Sequence, residues 1–180
     1  MLQRKASGVE GQGDSCIELA QATFLSILDY GDILYMHANS SSLKNLDSVY
    51  HAALRFITDS AFRTPRIILY ERVGWPSLES RRLEHWYSFL CKAILGEMPL
   101  YLCSLLTPKV TDRRNLRSDG QIMYVIPRTR TVFGENAFKV FAPSSWKKLQ
   151  DHFKLDYLPS MEQFKSRIKD YLISLSLSTE

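Results

Sequence analysis

The chain is poor in the residues that mark most enzyme and metal sites. Three cysteines in 180 residues (Cys16, Cys91 and Cys103) are odd in number and widely spaced. They make neither a disulfide framework nor a C-x-x-C metal pair, and read as buried or free thiols in a reducing compartment. The four histidines, His37, His51, His85 and His152, are scattered without ligand spacing. There is no G-x-x-x-x-G-K-[ST], G-x-G-x-x-G, H-E-x-x-H or G-x-S-x-G pattern, which removes the usual phosphate loops, zinc hydrolases and nucleophile elbows. No two acidic residues are adjacent anywhere. No cofactor, no metal and no small-molecule substrate is expected. The first fourteen residues are polar and lack the apolar run of roughly 7–15 residues that a signal peptide needs. An uninterrupted apolar span is missing too. Trp86–Leu106 comes nearest, but Lys92, Glu97 and Pro99 fall near its middle, where a bilayer would penalise them. It reads as core helix rather than membrane.

What is present is ordinary for a globular protein: 45% apolar and 23% charged residues, with a net charge of +4. Amphipathic helices dominate. Leu43, Leu46, Val49, Tyr50, Ala53, Leu54 and Ile57 recur at three- and four-residue steps behind a capping stretch, Asn39–Ser42. Thr64-Pro65 reads as an N-cap followed by Pro at the first helical position, and Gly74 as a stop. Trp75-Pro76-Ser77 opens the longest candidate, with Leu83, Trp86, Leu90, Ala93 and Ile94 on one face. Arg81, Glu84, His85, Ser88 and Lys92 lie mostly away from that face. Gly96 ends it, and a shorter helix follows over Pro99–Leu106.

Gln121–Phe133 is strand-like, with Ile122, Tyr124 and Ile126 alternating before a turn at Pro127 and Thr131, Val132 and Phe133 returning. Helices resume near Asn136, with a break at Ala142-Pro143-Ser144. Ser160-Met161-Glu162-Gln163 is a capping box that starts a last helix striped with Phe164, Ile168, Tyr171, Leu172 and Leu175. The fold class that follows is mainly α, an irregular helical domain of about six to seven short helices with one small β-ribbon.

Few side chains offer chemistry. Asp29 and Asp32 flank the Tyr30-Gly31 turn. Convergence of two carboxylates can hold catalytic cations, but capping backbone N–H groups beside the turn is the stronger reading. His51 and His85 read as surface or satisfied core residues. Trp75, Trp86 and Trp146 read as core anchors rather than base-stacking platforms. The basic residues differ in kind. Residues 111–148 hold eight Lys and Arg against three acids, a net +5 that leaves −1 for all the rest. Within it, Arg113, Arg114 and Arg117 surround a polar loop, while Arg128 and Arg130 flank Pro127. Brought together by the ribbon, these arginines could grip phosphate, whose oxygens match the planar guanidinium fork. They could equally form a solvated loop paired with Asp112, Asp119 and Glu135.

Six segments are familiar in order and spacing. They are LDYGDILYMHANSSSLKNLDSVYHAALRFITDS (Leu28–Ser60), LYERVGWPSLESRR (Leu69–Arg82), LGEMPLYLCSLL (Leu95–Leu106), LRSDGQ (Leu116–Gln121), VIPRTRTVFGENAFKVFAPSSWKKLQ (Val125–Gln150) and FKLDYLPSMEQFK (Phe153–Lys165). Together they resemble the region downstream of the polymerase core in non-LTR (LINE-type) retrotransposon reverse transcriptases.

The resemblance covers roughly residues 20–175 and implies a thumb-like and post-polymerase helical region lying near a template–primer duplex. The polymerase site of that family needs a Tyr/Phe-Ala-Asp-Asp box and a further palm aspartate, and neither is here. The resemblance therefore implies no catalytic residue in this chain and no enzyme as it stands. It divides the chain into a disordered, unrelated start (1–15), the reverse-transcriptase helical region (16–176) and a tail (177–180). Expected partners are an RNA–DNA or DNA duplex, held through Arg113, Arg114, Arg117, Arg128 and Arg130, and the missing polymerase core. No membrane partner is expected, and the expected location is intracellular, nuclear or cytoplasmic. The alternative is a remnant or helical protein-interaction module without a nucleic-acid role. In that case Trp86 or the Ile33–Met36 segment is left as an exposed apolar patch.

Overall fold

The structure, a computed structural model, describes residues 17–109, 123–153 and 160–178, so the expected start over 1–15 lies outside the described residues. Among those described the chain is mainly helical. A π-helical turn over Gln21–Leu25 leads into α1 (Ser26–Asp29) and is followed by α2 (Asp32–Tyr35), α3 (Ser40–Ile57) and α4 (Arg66–Val73). Then come α5 (Leu78–Leu95), α6 (Leu100–Cys103), α7 (Val132–Glu135), α8 (Phe138–Phe153) and α9 (Met161–Ser178). The excess over the expected number comes from the one-turn helices α1, α2 and α7, too short for a periodic apolar stripe to announce, while α6 falls inside the short helix expected over Pro99–Leu106. No described helix is long and apolar enough to cross a membrane. The apolar Trp86–Leu106 stretch is divided at Gly96, whose φ of 77° ends α5 in the left-handed region.

Punctuation in the sequence sets most of the boundaries. Asn39 caps α3 by accepting a hydrogen bond from the Ser41 N–H at 3.2 Å. Ser77 does the same for α5, accepting from the Ser80 N–H at 3.1 Å. At Ser160 one bond of the expected box is present, the Gln163 N–H donating to the Ser160 hydroxyl at 3.4 Å. Gly74 takes φ 70° and donates its N–H to the Tyr70 carbonyl, closing α4. Pro65 is itself the N-cap of α4, one residue before the expected position.

Two expectations need correction. The first concerns Pro143, which does not divide α8; the helix runs through it. A proline removes one N–H and crowds the preceding turn. Here Ser144 donates its hydroxyl to the Val140 carbonyl at 2.8 Å, and burial of Ala142, Pro143, Ser145 and Trp146 holds the turn against its neighbours. The second concerns the ribbon. Among the described residues, 123–126 do not pair with 131–133. Tyr124 instead makes one isolated antiparallel bridge to Pro108. The partner run cannot be a strand, because Thr131 caps α7 by accepting from the Gly134 N–H at 3.1 Å.

The chain divides into two compact units, Met1–His85 and Trp86–Glu180, with the division inside α5. In the first, Leu25, Leu28, Tyr50, Leu54, Leu69, Trp75 and Leu78 form one buried cluster. Each fully buried side chain of this size contributes about 1.5–3 kcal/mol relative to exposure. Two buried aromatic side chains of the unit find polar partners, whereas the buried Arg55 Nε has none among the described residues. Tyr50 donates its hydroxyl to the Pro76 carbonyl at 2.7 Å, and buried His51 lies 2.6 Å from the Tyr70 hydroxyl. Burial, then the Arg66 charge, depress the His51 pKa, so it stays neutral as a core residue.

The second unit packs Trp86, Leu90, Leu149, Trp146, Phe164, Ile168 and Leu172. Trp86 meets Phe138 edge-on at 6.1 Å and Phe141 at 4.9 Å, and Trp146 lies 6.2 Å from Phe164. All three tryptophans are buried, so they anchor cores and offer no face to a base.

Candidate functional site

Charged side chains gather in two places. The first is the basic segment after Met123. The Lys109 N–H donates to the Met123 carbonyl at 2.8 Å and the Val125 N–H to the Thr107 carbonyl at 2.9 Å, which pins 123–125 beside 107–109. Pro127 has no N–H to extend the pairing. From there to Thr131 the chain is irregular and alternates in burial: Pro127 and Thr129 are half-buried, Arg128 and Arg130 exposed. Both arginines therefore meet solvent. Neither forms an ion pair among the described residues, and Glu135, expected as a counter-ion, does not reach them. Lys139, Lys147 and Lys148 belong to α8 of the same unit, and all three are exposed. Arg113, Arg114 and Arg117 lie outside the described residues, as do Asp112 and Asp119.

The second group is one the sequence underrates. Gly31, at φ 70°, reverses the chain between α1 and α2 and brings Asp29 and Asp32 to the same side. One ligand atom from each of Asp29, Asp32 and His85 lies within 4.8 Å of the others. Neither side chain serves as the cap expected of it. Both carboxylate oxygens of Asp29 accept from Arg81, with the Nε–H bond at 3.1 Å and the Nη2 bond closer. Asp32 is 3% exposed, and its Oδ2 lies 2.5 Å from the His85 Nδ1. Arg81 and His85 are one turn apart on α5, so they present two cations to two acids spaced three residues apart.

The electrostatics follow. The hydrogen bond to Asp32 raises the His85 pKa; burial opposes it, and the charges of Asp32 and Asp29 add to it. Burial works against the Arg81 charge, but its bonds and attraction to Asp29 outweigh that and raise its pKa. The Tyr35 hydroxyl is pushed up by burial and then by Asp32, and it donates to the Leu28 carbonyl. With His85 protonated, two carboxylates face two cations and the group is self-compensated. A divalent ion would have to displace Arg81 from Asp29 and the His85 proton from Asp32. The geometry is therefore that of a charge lock tying Asp29 and Asp32 to α5, more than of a metal centre or a phosphoryl-transfer pair.

The signal for this lock was present as matched spacing, Asp29 and Asp32 against Arg81 and His85. Nothing in a single sequence links positions fifty residues apart. Of the groups that could meet a ligand, Arg128 and Arg130 of the second unit are open to solvent and the acids of the first are already engaged. Comparison with known proteins finds no match to this chain, whether among family models, curated proteins or solved structures.

Proposed function

We propose that this chain is the post-polymerase helical region of a non-LTR retrotransposon reverse transcriptase. In this reading it has no polymerase chemistry of its own and contacts the backbone of an RNA–DNA or DNA duplex through Arg128 and Arg130. The resemblance in six ordered segments supports the ancestry, and the lack of any adjacent acidic pair supports the absence of catalysis. One structural observation carries the nucleic-acid part: Arg128 and Arg130 are both exposed and form no ion pair among the described residues. Guanidinium groups without an ion pair among the described residues, in a stretch of net +5, are suited to phosphate.

Such contacts are directed at the backbone and depend steeply on salt. Filter binding of a labelled RNA–DNA duplex over a salt series tests the reading. Arg128→Glu with Arg130→Glu should weaken binding and flatten the salt slope by about two, since each lost phosphate contact removes about 0.9 from it. No affinity for the unaltered chain at low salt would refute the proposal, as would an unchanged slope in the double variant.

A second reading, contact with a polymerase core or other protein, is favoured by one feature of the first unit. Ile27 (75%), Tyr30 (87%) and Leu34 (88%) are exposed around the Gly31 turn. The patch overlaps the segment expected to be sticky at Leu34, whereas Trp86, the other candidate, is buried.

A further inference from the structure

We infer that the connector between α3 and α4 is a docking face for single-stranded nucleic acid, with bases stacked on Phe56 and Phe62 and phosphates held by the arginines around them. This goes beyond the duplex contact proposed above, belongs to the first unit and uses none of the same residues. Three observations carry it.

The first is a pair of aromatic rings that the fold leaves outside. Phe56 is 83% and Phe62 85% exposed. Single apolar side chains at a surface are ordinary. Two rings on one short connector, held in one conformation, are a presented surface. The connector is tied to both helices. The Thr58 N–H donates to the Leu54 carbonyl at 3.0 Å, the Ser60 N–H to the Arg55 carbonyl at 2.9 Å and the Thr64 N–H to the Ala61 carbonyl at 3.0 Å. From α4, Arg72 donates to the Ser60 hydroxyl at 2.8 Å. A partner therefore meets rings whose backbone is already ordered.

The second is the cation against one of those rings. The Arg55 guanidinium carbon lies 5.4 Å from the centre of the Phe62 ring, within cation–π reach. Its Nε is buried without a hydrogen-bond partner among the described residues, so the group is held by a ring where an acid would ordinarily pair it. Phe62 is open to solvent apart from that contact. Aromatic rings reinforced by arginine are what unpaired bases stack on.

The third is charge. Residues 55–72 hold four arginines, Arg55, Arg63, Arg66 and Arg72, against Asp59 and Glu71. None of the four forms an ion pair among the described residues, and the last three are exposed. Arg55 and Arg66 share a neighbourhood: after burial, the Arg66 charge and more weakly the Arg55 charge lower the His51 pKa.

An unpaired strand is the polyanion that uses all of this, because each phosphate comes with a base face beside it. A duplex keeps its base faces stacked on one another and would leave both rings in water. An anionic membrane would take the rings, but exposed Asp59 and Glu71 on the same stretch would meet its apolar layer at a cost. An acidic peptide would pair the arginines and bring no repeating ring faces.

The test is fluorescence anisotropy of the full chain with a labelled oligodeoxythymidylate of about 12 nucleotides at low salt, beside an abasic strand of equal length. The intact strand should bind about tenfold or more tightly than the abasic one. Phe62→Leu, at an exposed position where folding is not at stake, should weaken the intact strand about tenfold and leave the abasic strand unchanged. Phe62→Tyr, which keeps the ring, should restore binding. Arg63→Glu with Arg66→Glu should weaken both strands alike. Arg128→Glu with Arg130→Glu should leave the single strand bound as before even where duplex binding is lost, so failure of one proposal is distinguishable from failure of the other. The inference is overturned if the strand does not bind, if the abasic strand binds equally well, if Phe62→Leu binds as before, or if the Arg128 and Arg130 variant abolishes binding. It is also overturned if phosphatidylserine vesicles or polyglutamate displace the strand as well as unlabelled strand does, which would assign the face to a membrane or an acidic peptide.

Discussion

Replacing Asp32 and His85 with Ala, singly and together, measures the charge lock directly. Asp32 is 3% exposed, whereas the His85 side chain is 36% exposed. Breaking a fully buried ion pair costs about 3–5 kcal/mol and breaking an exposed one about 0.2–1. A pair with one buried and one partly solvated member falls between, so the coupling in a double-mutant cycle should be about 1–3 kcal/mol at pH 6. The sign of its pH dependence follows from the raised His85 pKa, caused first by the hydrogen bond to Asp32. A group whose folded pKa exceeds its unfolded value, here about 6.5, contributes fully below that value. The contribution is lost as pH rises through the folded pKa. Above it, neutral imidazole can still donate from Nδ1 to the carboxylate, worth about 0.5–1.5 kcal/mol. The coupling should therefore fall by about half between pH 6 and pH 9. Urea denaturation followed by far-UV circular dichroism gives the four stabilities at each pH, with equal m-values as the check that one transition is compared. A coupling equal at pH 6 and pH 9, or indistinguishable from zero at pH 6, would refute the assignment of this pair as a charged lock.

Core, turn and thiol give three further expectations. Leu54→Ala, at a fully buried position in the first unit, should destabilise by about 2–5 kcal/mol in the same denaturation assay; a loss under ~1 would mean the cluster is not packed as described. Gly74→Ala meets no atom within 4 Å, so only the left-handed φ of 70° opposes it, and the cost should be about 1–2 kcal/mol without loss of fold. Gly74→Asn should cost less than Gly74→Ala in that assay, since asparagine tolerates the left-handed region, and the reverse order would contradict the turn geometry. Cys91 is buried, and burial followed by the Glu97 charge pushes its thiol up to about 11. Alkylation by iodoacetamide at pH 8 should therefore modify half-buried Cys103 well before Cys91, read by mass spectrometry of peptides; equal rates would contradict the packing of α5.

Helices were legible where apolar spacing and caps agreed. Asn39, Ser77 and Ser160 start three of the long helices, and Gly74 and Gly96 stop two. The failures share a cause, which is context that a local pattern does not contain. Val49 sits on the apolar stripe of α3 but is exposed, while His51, off the stripe, is buried because Tyr70 satisfies its ring. Pro143 looks like a breaker because the rule counts the lost N–H. Ser144 and the buried turn around it are not part of that count. The 131–133 run has strand-like composition, yet a threonine followed three residues later by a glycine N–H makes a cap. For the sites, the arginines were found from charge density alone. His85 was weighed only as a lone histidine, and its value lies in Asp32.

Net charge is a poor guide to where this protein would meet an anion, and the pairing pattern is a better one. In the first unit Asp29, Asp32, Arg81 and His85 satisfy one another, so with His85 protonated they project little field into solvent. In the second, Arg128, Arg130, Lys147 and Lys148 are exposed, and the surrounding stretch is net +5. Screening over about 8–10 Å at physiological salt limits any single cation to its neighbourhood. Cations spaced a few residues apart overlap within that length, and together they attract a polyanion where each alone would not. The general attraction supplies affinity without preference, and preference has to come from a group that is buried and hydrogen-bonds in a fixed direction.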